Sequence, residues 1–389
     1  MATSPKIRTA VVGLNAPYTG APTGTNWAAR AHLPYLQASS KYELVALQNS
    51  SAERASKAIE AYGLNPDTVK AYGTPEDADL ANDPNVDLVV SSIRVDRHGG
   101  SVIPSIKAGK AVFVEWPLEA NYAIAKDLTD LVKTHNVRNV VGLQGGFSPV
   151  VQKLKDLVAR GDIGKVESST VVIKSMGGAT LPSMVDYFVD KKIGGNAFTI
   201  AFGHSLELVT QVLGEVASHR SLLVNQYPEV SIVDPKTREV LEKRPNDVPN
   251  QIVFNAILKS GAVLTQKLHS SASIPPGGKD QGQPPGLDWR IFGSKGEIRI
   301  TANETWALNT GNGDAKVEVW KDDGTVVVVD IGVDEFEDLP APARNIGRVY
   351  EAFAAGLDGE GKKKKWYPDF EHALKTHELI EQMYKENGF

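Results

Sequence analysis

Three side chains near the middle of the chain have the chemistry for moving a proton to or from a substrate oxygen. His204 and Glu207 fall one turn apart on a helix predicted over residues 196–213, so they face the same way. Tyr187 precedes that helix. An imidazole titrates near neutral pH and can act as a general acid or base, with the other two as helpers. The plain alternative is that His204 is a hydrogen-bonded histidine of the core.

Further candidate residues follow two predicted strands in the first third of the chain. The strand over 111–114 runs into Glu115-Trp116-Pro117, and the strand over 86–93 is followed by two arginines and an aspartate, Arg94 first. The carboxyl ends of parallel strands form the usual ligand-binding edge of a sheet. Trp116 is therefore predicted to stack on a substrate or nicotinamide ring, and Arg94 to bind substrate or cofactor. Surface ion pairing of Arg94 is an equal alternative.

A glycine at the end of the first strand indicates a nucleotide-binding turn. Gly13 lies where a tight strand-to-helix turn would place free N–H groups under a pyrophosphate. The usual G-x-G-x-x-G spacing is not intact, because an insertion with Gly20 and Gly24 intervenes and Ala29 replaces the third glycine. Asn15 is predicted to supply a polar contact in place of the missing glycine. The alternative is a structural loop capped by a glycine.

The end of the second strand, predicted over 42–47, indicates which dinucleotide binds. NAD sites normally place an acidic residue there to accept hydrogen bonds from the ribose. This chain has Asn49, Ser50, Ser51 and, one turn later, Arg54. These groups donate hydrogen bonds to a phosphate without repelling it, so NADP is favoured over NAD. The Asn-Ser-Ser run also suits a helix cap, which is compatible with anion binding.

The elements that carry these residues fall into two blocks, predicted as domains 1–145 and 146–389. In the first block strands alternate with helices, which predicts an α/β Rossmann domain with a doubly wound parallel sheet. In the second block strands between residues 217 and 330 come together, with helices before and after them. That pattern predicts an α+β domain whose sheet is mostly antiparallel, with helices on one face. The stretch 275–286 reads as a mobile loop.

Composition narrows the function classes. The 389 residues carry a net charge of −5 and contain no cysteine, which excludes disulfides, thiolate metal sites and a cysteine nucleophile. No basic field points to nucleic acid, and no metal site is expected. The start of the chain lacks a signal-peptide core and no stretch suits a membrane span, so the expected location is the cytoplasm. Lysines 362–365 read as a solvated loop, with a nuclear import signal or anion patch as alternative.

The order and spacing of several short motifs resemble the Gfo/Idh/MocA oxidoreductase family over nearly the whole length. The motifs are Ala31-His32-Leu33-Pro34, His98, Gly109-Lys110 before the Glu-x-Pro tripeptide, residues 161–166, Gly194-Gly195, Gly203-His204 and residues 292–296. The resemblance implies a Rossmann domain followed by an open-faced sheet. It also places His98, Glu115 and Gln144 at the cofactor. A closer likeness is to the family's fungal galactose-repressor subgroup, on motifs that include residues 13–16, 113–116 and 202–204.

The chain departs from the family's catalytic pattern at two positions. Typical enzymes carry a lysine between the Glu and the Pro, and an aspartate four residues before the histidine of the Gly-x-His helix. Here these positions hold Trp116 and Ile200, and only His204 remains. A tryptophan carries one N–H and no charge, so it cannot act as a general acid.

Two functions follow from this resemblance. The first is an NADP-dependent oxidoreductase acting on an alcohol or carbonyl of a small molecule through His204. The second is a non-catalytic NADP-binding regulator that works through a protein partner, with the nucleus as a further location. The Glu-Trp-Pro match favours the regulator, whereas most of the family and the absence of a charged tail favour the enzyme. By analogy a homodimer is expected in either case.

Overall fold

The computed structural model describes residues 5–17, 26–74, 79–175, 178–270, 285–311, 313–356 and 366–389. The predicted insertion with Gly20 and Gly24, residues 275–284 of the predicted loop and the lysines at 362–365 lie outside the described residues. The chain divides into two compact units. The first consists of Met1–Leu143 and Asp338–Glu378, and the second of Gln144–Glu337 and Leu379–Phe389.

The first unit is built on a six-stranded sheet in which all neighbours run parallel. Its strands are β1 (Ile7–Val12), β2 (Tyr42–Gln48), β3 (Lys70–Tyr72), β4 (Leu88–Ser91), β5 (Ala111–Glu115) and β6 (Asn139–Gly142). Their order is β3-β2-β1-β4-β5-β6, the order of dinucleotide-binding folds. All four residues of β4 are buried, as expected for a strand covered on both faces.

Four helices connect these strands. They are α1 (Leu33–Ala38), α2 (Ala52–Ala61), α3 (His98–Lys107) and α4 (Tyr122–Thr134). A π-helical turn, Ala28–His32, leads into α1. The starts of α2 and α4 are fixed by side chains, because Ser51 accepts the Arg54 N–H and Asn121 accepts the Ile124 N–H.

The second unit holds an eight-stranded mixed sheet and a small three-stranded one. The strands are β7 (Val166–Ser175), β8 (Thr180–Pro182), β9 (Val216–Val224), β10 (Glu229–Val233), β11 (Val240–Pro245), β12 (Gln251–Leu258), β13 (Val263–Ser270), β14 (Leu287–Gly293), β15 (Gly296–Ala302), β16 (Lys316–Lys321) and β17 (Val326–Val328). The large sheet has the order β17-β16-β15-β14-β7-β13-β12-β9, and β7–β13 is its parallel pair. The small sheet has the order β11-β10-β8.

In the described residues the second unit has three complete α-helices: α5 (Pro149–Arg160), which precedes β7, and α6 (Ala197–Leu213) and the short α7 (Ala307–Thr310), which lie between strands. Burial alternates along β12 and β13, so one face of the sheet is buried and the other is open. Leu222, Ile257 and Val263 are exposed on that open face. The predicted fold class, a Rossmann unit followed by a unit with an open-faced, mostly antiparallel sheet, is confirmed.

Two helices close the chain, α8 (Ala341–Ala355) and α9 (Phe370–Glu386). The predicted division at residue 145 assigned both to the second domain, whereas α8 and the start of α9 belong to the first unit. The reason is packing that is remote in sequence. The Tyr350 ring stacks on Tyr35 with centroids 5.2 Å apart, and the Tyr42 hydroxyl donates to the Tyr350 carbonyl at 2.6 Å. The Arg138 guanidinium lies 4.0 Å from the centre of the Phe353 ring.

Candidate functional site

The carboxyl edge of the Rossmann sheet is shaped around Gly13. Its N–H donates to the Gln48 carbonyl at 3.0 Å, and its φ is +97°. A Cβ at this position would lie 2.4 Å from the Ser92 carbonyl oxygen. Only glycine therefore allows the ends of β1 and β4 to approach this closely, which keeps the edge free of side chains at the place predicted for a pyrophosphate.

Two buried polar atoms in the first unit lack a hydrogen-bond partner among the described residues. Asn49 donates through Nδ2 to the Leu14 carbonyl at 2.9 Å, but its Oδ1 is buried and unpaired. The indole N–H of Trp27, just before the π-helical turn, is also buried and unpaired. An acceptor suits a ribose hydroxyl and a donor suits a phosphate oxygen. The residues present therefore fit a dinucleotide.

The other predicted cofactor contacts surround the start of α2. Ser51 caps the helix, which was the alternative explanation for the Asn-Ser-Ser run, while Ser50 and Arg54 are exposed beside it. Asn15 donates through Nδ2 to the Gly13 carbonyl at 3.2 Å. The first turn of this ten-residue helix carries Glu53 and Arg54, and the N–H groups at its amino end suit an anion.

Glu115 is held inside the first unit. Its Oε1 lies 2.8 Å from Nε2 of His32, whose Nδ1 lies 2.8 Å from the Tyr350 hydroxyl. A Cβ on Gly142 would lie 2.5 Å from Glu115 Oε2, so β6 also fits closely against the carboxylate. We call His32, Glu115 and Tyr350 the His32 cluster. The cofactor contact predicted for Glu115 stays a prediction, and the bonds seen here hold its carboxylate against His32.

Trp116 and the residues after it are fixed by two buried histidines. The Trp116 ring is buried and lies 4.7 Å from the His377 ring, measured between centroids. His377 accepts the Leu118 N–H through Nε2 at 3.1 Å, and burial lowers the pKa of His377 to about 3. Nδ1 of His98 lies 3.0 Å from the Pro117 carbonyl oxygen. Trp116 thus packs in a tilted arrangement, with an interplanar angle of 49°, against His377, and the imidazole of His98 is occupied by main-chain oxygen.

Arg94 forms the ion pair that was the alternative to ligand binding. Its Nε donates to Asp96 Oδ1 at 2.6 Å and a terminal nitrogen donates to Asp96 Oδ2 at 2.7 Å. This two-point bond lowers the pKa of Asp96. Arg94 thus braces the turn after β4.

In the second unit α6 carries the predicted acid–base residues. The helix begins with a reciprocal cap, because Asn196 accepts the Thr199 N–H at 2.9 Å and the Thr199 hydroxyl accepts the Asn196 N–H at 3.2 Å. Along one side of α6 lie Ile200, His204, Glu207 and Leu208. Glu207 accepts a hydrogen bond from Gln211 at 3.0 Å and is buried, as is His204.

A glycine turn and α7 complete this group of polar residues. A Cβ on Gly145 would lie 2.6 Å from Asn309 Oδ1 and 2.6 Å from Leu208, and one on Gly146 would lie 3.3 Å from Glu207 Oε1. The Trp306 ring meets the His204 ring edge to face at 5.6 Å. We call Gln144, His204, Glu207 and Asn309 the His204 cluster; all four are less than a tenth exposed.

The His204 cluster contains three buried atoms with no partner in the described part of the chain. They are Gln144 Oε1, His204 Nδ1 and Asn309 Oδ1. A buried polar atom without a hydrogen bond costs about 1–3 kcal/mol, so three in one cluster indicate groups kept for a ligand. Burial lowers the pKa of His204 to about 4, and the imidazole is neutral at pH 7 with a lone pair that can accept a proton.

Tyr187 lies in largely apolar surroundings, next to the cluster against which Ile200 of α6 also packs. It belongs to the helical segment Ser183–Val189 and packs, together with Ile200, against an apolar cluster that includes Phe188 and Val230. Its ring lies 5.1 Å from that of Phe188. Ile200, at the position where the family carries aspartate, therefore belongs to this apolar packing.

The described ranges show neither a candidate metal site nor a helix that could cross a membrane. In the described ranges, no group of three or more His, Asp or Glu side chains is arranged to hold a metal ion. None of the helices in those ranges has the length and apolar character needed to cross a membrane.

Comparison with known proteins gives the same two-part architecture. Residues 21–143 match the model of the oxidoreductase family with an NAD-binding Rossmann fold, Gfo/Idh/MocA. Residues 149–302 match the model of the Gal80p C-terminal domain.

Two curated relatives and one solved structure cover most of the chain. The dehydrogenase AclE of Aspergillus oryzae is 31% identical over 76% of this chain and 77% of its own. The galactose/lactose metabolism regulatory protein GAL80 of Saccharomyces cerevisiae is 25% identical over 98% of this chain and 92% of its own. A super-repressor mutant of Gal80p from the same yeast superposes with a TM-score of 0.83 at 22% identity, over 99% of this chain and 97% of that one.

The fold and the comparisons define a Rossmann-type protein of the oxidoreductase class. The chain belongs to the Gfo/Idh/MocA oxidoreductase family, as its motifs indicated, and its second unit is of the Gal80 type. Its relatives include both a dehydrogenase and a regulatory protein.

Sequence reasoning did not single out several residues that shape these sites. They are Trp27, His32, Trp306, Asn309 and His377. His32 stood in a family motif, and Trp27 with Ala28 belongs to the likeness with the galactose-repressor subgroup, but nothing in the sequence gave either a role of its own. Trp306, Asn309 and His377 lie in segments without a recognisable motif, and no sequence signal pointed to them.

Proposed function

We propose that this protein is an NADP-dependent oxidoreductase that transfers hydride between NADP(H) and an alcohol or carbonyl group of a small molecule. The observation that carries the proposal is the unpaired Nδ1 of His204. The alternative, a hydrogen-bonded core histidine, requires a partner, and none is found among the described residues. A neutral buried imidazole with a free ring nitrogen is suited to proton transfer.

The first unit would bind the dinucleotide. Gly13 leaves room for the pyrophosphate, Asn49 Oδ1 would accept from a ribose hydroxyl, and the Trp27 N–H would donate to a phosphate. Ser50, Ser51 and Arg54 favour the additional phosphate of NADP. A bound nicotinamide dinucleotide supplies the hydride acceptor or donor.

The second unit would supply the proton transfer. In alcohol oxidation the substrate hydroxyl would lose its proton to Nδ1 of His204. In carbonyl reduction His204 returns that proton to the oxygen. Trp116 and Ile200 stand where the family carries its lysine and aspartate, and neither side chain can transfer a proton. Of these three catalytic positions, the one with an acid–base group is therefore that of His204. Tyr187 and Glu207 are proposed as helpers.

A histidine substitution tests the acid–base role. Purified protein with NADPH or NADP⁺ is screened against aldehydes, ketones, sugars and alcohols, and the best substrate is used to compare variants. His204→Gln should lower kcat/KM about 100- to 10,000-fold while leaving the dissociation constant for NADPH unchanged. His269→Gln, a half-buried histidine of β13 in the same unit, is the matched control and should retain full activity. Equal activity of His204→Gln and wild type would refute the role of His204.

A charge reversal tests the choice of dinucleotide. Arg54→Glu should weaken NADPH binding by about 10-fold or more, because a carboxylate would replace the guanidinium beside the 2′-phosphate. Binding of NADH should change far less. Lys236→Glu, an exposed lysine of the second unit, controls for the change in net charge. Equal loss for both dinucleotides would contradict the assignment of NADP.

The second candidate function is a non-catalytic NADP-binding regulator. The packing of Trp116 on His377 favours it, because no charged side chain stands at the family's lysine position. Similarity to the GAL80 regulatory protein along nearly the whole chain supports it as well. Tight NADPH binding without turnover on the complete substrate panel would select this function over the enzyme.

A further inference from the structure

We infer that Asn309 is a specificity-determining residue, which binds a hydroxyl group of a neutral substrate through its side-chain carbonyl. The inference rests on the proposed function and names a residue and a ligand chemistry for the same site. Three features of Asn309 support it: the position of the residue, the acceptor character of its Oδ1, and the anionic ligands that an acceptor disfavours.

The main chain of Asn309 is held by its own short helix, and its side chain lies next to a glycine. Its N–H donates to the Trp306 carbonyl at 2.9 Å, in the turn that begins α7. Its Oδ1 lies 2.6 Å from where a Cβ of Gly145 would be. The absence of a side chain at Gly145 therefore makes the space that the amide occupies.

The surroundings of Asn309 connect it to the proposed acid–base residue. Trp306, which precedes α7, packs edge to face on His204. Leu208, one turn after His204 on α6, is the other neighbour of the space above Gly145. Gln144, the residue before Gly145, carries a second side-chain carbonyl oxygen that has no partner among the described residues. Asn309 is thus three residues from the tryptophan that packs on His204, and Gln144 adjoins the glycine that faces the Asn309 amide.

The two side-chain carbonyl oxygens without a partner among the described residues determine which ligands the site favours. Gln144 Oε1 and Asn309 Oδ1 accept hydrogen bonds, so they favour a ligand that brings donors. A hydroxyl group supplies such a donor, whereas a carboxylate or phosphate would set oxygen against oxygen. The buried carboxylate of Glu207 in the same cluster opposes anions further. The site therefore fits a neutral molecule with at least two hydroxyl groups.

Three matched probes test the inference on the full chain in the presence of saturating NADP⁺. They are trans-cyclohexane-1,2-diol, cyclohexanol, which lacks one hydroxyl, and trans-2-hydroxycyclohexanecarboxylate, which replaces it by an anion. Calorimetry measures their binding. The wild type should bind the diol about 10- to 100-fold more tightly than either other probe, because the analogues leave a buried acceptor unpaired or face it with an anion.

The variant Asn309→Leu should abolish this preference and bind diol and cyclohexanol within about 2-fold of each other. It should fold with an unchanged or higher melting temperature, because replacing an unpaired acceptor by an apolar group of similar shape removes no bond. Asn303→Leu, an exposed asparagine of the same segment, should retain the preference. An unchanged preference in Asn309→Leu, tighter binding of the carboxylate, or no binding of the diol overturns the inference.

The outcomes separate this inference from the proposed function. Binding that depends on Asn309, without reduction of NADP⁺ by any alcohol, would support the ligand chemistry and refute the oxidoreductase. Turnover that depends on His204, with a preference independent of Asn309, would support the oxidoreductase and refute the role of Asn309.

Discussion

The two units each bury a histidine among polar side chains, but the two clusters differ in how their hydrogen bonds are satisfied. In the His32 cluster both ring nitrogens have partners, a carboxylate on one side and a tyrosine hydroxyl on the other. In the His204 cluster a ring nitrogen and two amide oxygens have none among the described residues. The first arrangement stabilises a fold, whereas the second leaves bonding capacity for a ligand.

The difference explains why the chain retains Glu115 but not the family's lysine. Glu115 joins β5 to His32 and, through it, to Tyr350 of α8, so it serves the structure of the first unit whatever chemistry follows. The neighbouring Trp116 has a packing partner of its own in His377. Glu-Trp-Pro is therefore a well-packed segment, and its glutamate gives no information about catalysis.

The largest expected effect is the loss of the buried carboxylate. Glu115→Ala should lower the free energy of unfolding by about 3 kcal/mol or more, because it leaves His32 unpaired in the core. Glu115→Gln keeps an acceptor for His32 and should restore much of the loss. Urea denaturation measures both. Glu53→Ala, which breaks the exposed pair with Lys57, should cost under about 1 kcal/mol. A similarly small loss for Glu115→Ala would mean that the His32 cluster is not structural.

The pH dependence of stability should reveal the neutral state of His204. Its pKa is about 4 in the folded protein and about 6.5 in the unfolded chain, so the unfolded state binds more protons between these values. Stability should therefore fall as the pH drops from 7.5 to 5, by about 2 kcal/mol from this group. His204→Leu should remove that share of the decrease, measured by urea denaturation at both pH values. His377, with a pKa of about 3, contributes a similar loss of stability over this pH range, and the variant keeps that contribution.

An unchanged pH slope in His204→Leu would show that this histidine is charged or exposed in the folded protein. In that case it would resemble an ordinary surface histidine, and the contrast between the two clusters would disappear.

The smallest effect concerns two glycines that face the two clusters. Gly142→Ala places a Cβ about 2.5 Å from the Glu115 carboxylate, which is anchored by His32, and should cost about 1–3 kcal/mol. Gly145→Ala meets Asn309 Oδ1 and Leu208 at 2.6 Å, and an unpaired amide can yield. Gly145→Ala should therefore lower the free energy of unfolding by about 1 kcal/mol less than Gly142→Ala does. Thermal unfolding of the two variants measures the difference, and an equal or larger loss for Gly145→Ala would show that Asn309 is rigidly held.

Much of the fold was predictable because its signals are local. Apolar runs alternating with amphipathic segments gave the Rossmann strands and helices, and alternation gave β12 within its observed bounds. Asn196 and Gly214 delimit α6, so the helix carrying His204 was predicted to within one residue. The strand Lys70–Tyr72 was missed, because three residues at the edge of a sheet leave no periodic pattern.

The site was only partly predictable, because its decisive contacts are not local. The cap at Ser51 and the Arg94–Asp96 pair join near neighbours and were both named as alternatives. Asn309 and His377 were not named, because their partners come from segments far away along the chain.

By itself, the sequence determined most of the Rossmann strands, the glycine at the dinucleotide edge, the helix of His204 and the absence of the family's lysine and aspartate. Only the tertiary structure decided which buried histidine has partners. His32 is paired with residues 83 and 318 positions away, and such pairings depend on how remote elements pack. Local sequence specifies what a side chain can bond to, whereas packing specifies which of those bonds form within the protein and which remain for a ligand.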